Sequence, residues 1–116
     1  MNEKLSSEQI QLVAFTIILH SGNAKMKIHE AFKAMRNANF VLAHELLEAA
    51  NDELLEAHKS QTELLQSYAN GTKIEMEIIM VHAQDHLMTA MTLHEIASEM
   101  SHLYSLNHEL RQTLKL

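Results

Sequence analysis

Apolar residues recur along most of this chain at intervals of three and four, the period of a helix that buries one face. The first such stripe runs Ile10, Ala14, Ile17, Ser21, Ala24, Ile28, Ala31 and Met35. Ser6 precedes it, with Gln9 three residues on. That spacing lets the hydroxyl and the amide each satisfy a backbone group at a helix start. A second stripe reads Phe40, Ala43, Leu47, Ala50, Leu54, Ala57, Gln61, Leu64 and Tyr68. Asn39 is placed to cap its start and Asn70-Gly71 to end it. Thr72 and Glu75 repeat the capping-box spacing and open a third periodic segment running towards Leu110. The pattern predicts helices over about 6–36, 39–69 and 73–112, each ~45–60 Å long at 1.5 Å per residue. Short connections near 37–39 and 70–72 make successive helices antiparallel neighbours. The expected fold is therefore all-α, an antiparallel three-helix bundle in one domain spanning residues 1–116. Gly22 falls inside the first helix, where a kink or a close helix approach accounts for it better than a break.

The third segment carries two apolar strips. Ile74, Ile78, Val81, Met88, Thr92, Ile96 and Leu103 fall within about 60° of one line, with Asp85 in their midst. Ile79, Ala83, Ala90, Leu93 and Ala97 form the other. A three-helix subunit needs one strip for its own core. The surplus strip points to self-association. Once buried there, the Asp85 carboxylate requires a cation, a proton or a donor; the alternative is that it reaches solvent or a local polar network.

Composition narrows the function. Hydrophobic residues make up 47% of the chain but aromatics only 4%, so packing falls to Ala, Leu, Ile and Met, as in helices rather than sheets. Proline is absent and Gly22 and Gly71 are the two glycines, too few turn residues for an all-β domain. The formal net charge is −6 with no Lys/Arg cluster, which argues against nucleic acid and anionic membrane surfaces as partners. The run from Leu12 to Leu19 is interrupted by Thr16 and is too short to cross a bilayer. Met1-Asn2-Glu3-Lys4-Leu5-Ser6-Ser7 lacks the apolar stretch of a signal peptide, so the cytoplasm is the expected compartment. Cysteine is absent, which removes disulfides, thiolate metal sites and thiol redox chemistry.

Nine histidines remain to be explained. His20, His29, His44, His94, His102 and His108 have no evident partner in the sequence. The run Val81-His82-Ala83-Gln84-Asp85-His86-Leu87-Met88 is different, because His82 shares one side of a helix with Asp85 (i,i+3) and His86 (i,i+4). Zinc is bound by two histidines one turn apart, but a helical metalloprotease has Glu directly after the first His, where Ala83 stands. A di-iron bundle uses Glu-x-x-His on two helices, and only Glu99 and His102 supply one. The third option is phosphoryl transfer. Imidazole with a pKa of about 6.5 is mostly neutral at pH 7, attacks phosphorus without a separate base and yields the group readily. Spacing leaves these open, together with a histidine-rich metal-binding or structural helical oligomer.

The stretch Val81-His82-Ala83-Gln84-Asp85-His86-Leu87-Met88-Thr89 resembles the hallmark of the lactose/cellobiose-type enzyme IIA family of the bacterial sugar phosphotransferase system. The resemblance covers almost the whole chain. It includes His20-Ser21-Gly22-Asn23-Ala24-Lys25, where the family has Ser-Gly followed by Ala and a basic residue, and Glu56-Ala57-His58-Lys59-Ser60-Gln61-Thr62. Asn37-Ala38-Asn39-Phe40 departs from the family's frequent Gly-Asp-Phe, away from the histidine run. The resemblance implies a homotrimer with the third helices near the threefold axis. It implies that His82 is phosphorylated by the histidine-containing phosphocarrier protein and passes the group to a cysteine of the IIB component. That component phosphorylates a disaccharide such as cellobiose, lactose or chitobiose as the IIC membrane channel imports it. The resemblance further implies one structural Mg2+ per trimer, shared through Asp85. His86 and Gln84 are candidates for orienting His82 or contacting the phosphoryl group, in the same or a neighbouring subunit.

Overall fold

The computed structural model describes residues 3–116; Met1 and Asn2, which open the segment read for a signal peptide, lie outside them. Three helices, α1 (Ser7–Arg36), α2 (Phe40–Ala69) and α3 (Ile78–Leu114), form a rod of 70 × 20 × 19 Å. Among the described residues there is no strand, only an isolated parallel bridge between Lys4 and Lys73.

The local chemistry of the first two helices follows the expected punctuation. The Ser6 hydroxyl accepts the Gln9 N–H at 3.1 Å while the Gln9 side chain accepts the Ser6 N–H at 2.8 Å. Asn39 Oδ1 accepts the Leu42 N–H at 3.2 Å and starts α2. The α1–α2 turn passes through Ala38 at φ 56°, a left-handed conformation in which the Cβ crowds the backbone. Gly71 takes the same region at φ 96° without that crowding and ends α2. Gly22 is exposed within an unbroken α1, and a Cβ there would meet nothing within 4 Å. Neither a break nor a close approach by this chain's own helices accounts for it.

The third helix begins at Ile78, not near residue 73, and ends at Leu114. The expected box between Thr72 and Glu75 does not form, because the segment is taken up by a distant pairing. The Lys73 N–H donates to Glu3 O at 2.7 Å, and the Leu5 N–H donates to Lys73 O at 3.0 Å. Glu75 meets Lys4 Nζ at 2.7 Å instead of turning back on Thr72. Residues 73–77 are thereby held out of the helix, and Glu77 opens α3 in an extended conformation with no side-chain cap.

α1 is the central helix, with α2 and α3 each packed chiefly against it. Its whole predicted stripe from Ile10 to Met35 is buried. Facing it are Ala43, Leu47, Ala50, Leu54 and Ala57 of α2 and Met80, Ala83, Leu87, Ala90 and Ala97 of α3. Burying each large aliphatic side chain contributes about 1.5–3 kcal/mol, and the alanines let the helix backbones come close. On α3 the alanine strip is the one the subunit consumes. The other strip stays outside: Ile78, Val81, Met88, Ile96 and Leu103 are each at least half exposed, and Asp85 among them is exposed too. The single chain therefore does not bury the Asp85 carboxylate. Only a further molecule on this strip can do so.

Candidate active site

His82 stands four residues after the first residue of α3, about 6 Å along the axis. It is exposed. Its ring meets that of His86 edge-on, with centroids 4.5 Å apart and planes at 85°. That contact follows from the i,i+4 spacing on a continuous helix. His86 is half-buried against α1, where Lys25 lies beside the core residue Ala24. Lys25 Nζ donates to His86 Nδ1 at 3.3 Å.

Electrostatics at this pair are one-sided. Burial pushes His86 below the usual imidazole range, the Lys25 ammonium and the His82 ring push it further, and Asp85 opposes them. His86 is therefore neutral at pH 7. A lysine ammonium can only donate, so Nδ1 is the acceptor and the His86 proton sits on Nε2. An exposed imidazole packed on a neutral N–H donor, itself held by an ammonium, suits an anionic group in an otherwise acidic chain.

Asp85 points off the same side of α3 into solvent, and its backbone carbonyl accepts the Thr89 hydroxyl at 2.8 Å. Among the described residues, no group of three or more His, Asp or Glu is placed to hold a metal. One subunit thus offers a single carboxylate at Asp85. Gln84 is not brought to His82 of its own subunit. It faces α2, where Gln61 Nε2 donates to Gln84 Oε1, and Gln84 Nε2 approaches Met80 Sδ at 3.6 Å. The signal was present in the spacing, since two residues are 200° apart on a helix.

His44 Nε2 meets Glu48 Oε1 at 3.1 Å one turn along α2, a partner the i,i+4 spacing offers, and two further histidines have polar partners on other helices. His20 Nδ1 meets Glu53 Oε2 at 2.6 Å, and Asn23 Nδ2 reaches the same oxygen at 3.4 Å. The hydrogen bond from His20 holds the Glu53 carboxyl below the ordinary carboxylate range, against the opposing effect of burial. His94 Nε2 donates to Leu47 O at 2.9 Å. These contacts clasp α2 to α1 and α3 to α2. Like the approach of Lys25 to His86, they span dozens of residues, and no local spacing announces them.

Residues 12–105 match the family described as "PTS system, Lactose/Cellobiose specific IIA subunit". The lichenan-specific phosphotransferase enzyme IIA component of Bacillus subtilis is 45% identical over 98 residues, which is 84% of this chain and 89% of that one. The PTS system lactose-specific EIIA component of Staphylococcus epidermidis is 38% identical over 100 residues, 86% of this chain and 96% of its own. The crystal structure of PtcA from S. mutans is similar with a TM-score of 0.85 at 62% identity, covering 86% of this chain and 98% of that one. The crystal structure of the PTS cellobiose-specific enzyme IIA from Bacillus anthracis gives a TM-score of 0.84 at 37% identity, covering 90% and 94%. With sequence and helical fold agreeing over most of its length, the chain belongs to the lactose/cellobiose-specific IIA subunits of the sugar phosphotransferase system and is a phosphotransferase carrier component.

Proposed function

We propose that His82 is the residue that carries the phosphoryl group. It receives the group from the histidine-containing phosphocarrier protein and delivers it to a cysteine of the IIB component. The observation that supports this reading is the exposure of His82 on an unbroken helix, beside a neutral histidine that a lysine holds. A lone pair on the His82 ring forms a new P–N bond in line with the one that breaks on the carrier; the departing carrier imidazole keeps the electron pair and takes up a proton, while the His82 ring gives up the proton of its other nitrogen to solvent. The transition state is loose, so positioning and charge stabilisation dominate. His86 orients His82 or meets the phosphoryl oxygens, a reading supported by its edge-on contact with the His82 ring. Gln84 acts on His82 only from a neighbouring subunit, since within its own it is turned to α2.

The uncovered strip on α3 supports assembly as a homotrimer with the α3 helices near the axis. In that arrangement three copies of Asp85 would supply oxygen ligands to one structural Mg2+, a donor set that suits a hard cation. The metal contributes charge neutralisation at the axis. Relatives named for lichenan, lactose and cellobiose support a disaccharide as the transported sugar, with chitobiose in the same class. IIC imports it, and this chain works on the cytoplasmic side. Among the described residues, no helix is long and apolar enough to cross a membrane.

The test is incubation with enzyme I, the phosphocarrier protein and phosphoenolpyruvate, followed by intact mass. One phosphoryl adduct per subunit is expected, and none on His82→Gln, which still folds. Undiminished acid-labile labelling of His82→Gln overturns the assignment and moves the site, first to His86. A wild-type chain without any adduct supports a histidine-rich metal-binding or structural oligomer instead.

A further inference from the structure

We propose that Lys25 is a positioning residue for phosphoryl transfer, acting through His86. It donates to His86 Nδ1, fixes the imidazole proton on Nε2, and so presents a hydrogen-bond donor next to His82. The inference rests on His82 being the phosphoryl site.

Three observations carry it. The first is the contact itself, 3.3 Å from Lys25 Nζ to His86 Nδ1, bridging α1 and α3. An ammonium has donors and no acceptor, so this contact is compatible with one neutral tautomer only. Free imidazole exchanges its proton between the two nitrogens; here the exchange is suppressed by a partner on another helix. The second is the edge-on packing of His86 on His82 at 4.5 Å, which keeps the two rings together in one orientation. A group on His82 therefore projects beside a ring whose donor nitrogen has been chosen in advance. The third is the half-burial of both Lys25 and His86. The lysine stem lies along α1 while its head reaches α3, so the contact is shielded from the solvent screening that weakens exposed pairs. Preorganised donors of this kind stabilise a transferring phosphoryl group because they need not reorient during the step.

Lys25 also brings a positive charge to a chain of net charge −6 that must accept an anionic group from an anionic donor. A guanidinium could replace that charge but offers a planar fork instead of a single directed donor. Lys25→Arg is therefore expected to rescue in part.

The experiment follows His86 ring nitrogen resonances by 15N NMR together with the rate of phosphoryl acceptance from the phosphocarrier protein. In the wild type, His86 shows the Nε2–H form. In Lys25→Met the resonances move towards a mixture of tautomers, and acceptance slows by about tenfold or more. Lys25→Arg recovers part of the rate. In a His86→Gln background, Lys25→Met is expected to add only the small loss that comes from the missing charge, because the tautomer effect passes through the missing ring. Wild-type rate and unmoved His86 resonances in Lys25→Met overturn the inference, as does a full additional loss in the His86→Gln background. Neither result affects His82 labelling of the wild type, so failure here is distinct from failure of the phosphoryl site itself.

Discussion

Glu53→Gln removes one charge from the clasp between α1 and α2 while keeping the side-chain shape. Glu53 Oε2 lies 2.6 Å from His20 Nδ1, with the two side chains 24% and 26% exposed. A hydrogen bond to an ionised group contributes about 1.5–3 kcal/mol when shielded. The substituted amide still accepts from His20, so the expected loss is about 1–1.5 kcal/mol. For a chain of this size that lowers the melting temperature by roughly 3–8 °C. The assay is a far-UV circular dichroism melt at fixed protein concentration, because self-association adds to apparent stability. The pH dependence gives a sharper check. The folded-state pKa of Glu53 is depressed from 4.5, so its stabilisation is fully present above that value and is lost as pH falls through the lower folded one. Glu53→Gln has no such loss, and the gap between the two proteins narrows below pH 4.5. Coincident melts at pH 7, or a gap that persists unchanged into acid, would refute the reasoning.

Two further outcomes are expected. Ala38 holds φ 56° in the α1–α2 turn, a region that favours glycine. Ala38→Gly relieves about 1–2 kcal/mol of strain and adds about 0.4–1 kcal/mol of unfolded-state entropy, so a net gain of about 0.5–1 kcal/mol is expected in urea unfolding. A lower midpoint for that variant counts against strain at this turn. Asp85→Leu removes a carboxylate from an apolar strip and should preserve or strengthen self-association. Sedimentation equilibrium showing monomers would rule out the axial placement.

The helices that could be read in advance are those whose ends are set by near neighbours. Ser6 and Gln9, Asn39 and Leu42, and Asn70-Gly71 are all contacts within a few residues, and each forms as the spacing implies. The stripe from Ile10 to Met35 is buried in full because helical period alone decides which face α1 turns inward. The start of α3 failed for the opposite reason: Lys73 bonds to Glu3 and Leu5, across some seventy residues, and that tertiary pairing overrides a sound local capping signal. Asp85 was placed correctly on its strip, but burial depends on what covers the strip, and one chain does not. The same divide runs through the site. The His82–His86 contact is local and legible, while Lys25 reaches His86 only because α1 and α3 pack side by side.

The bridge between Lys4 and Lys73 has a practical consequence for anyone handling this protein. The backbone just ahead of α1 is stitched to the linker that launches α3, a few residues upstream of His82. An affinity tag or fusion partner joined immediately before Glu3 is therefore attached to the strap that sets where the helix carrying His82 begins. A reporter or tether placed after Leu116, at the far end of α3, leaves that strap alone.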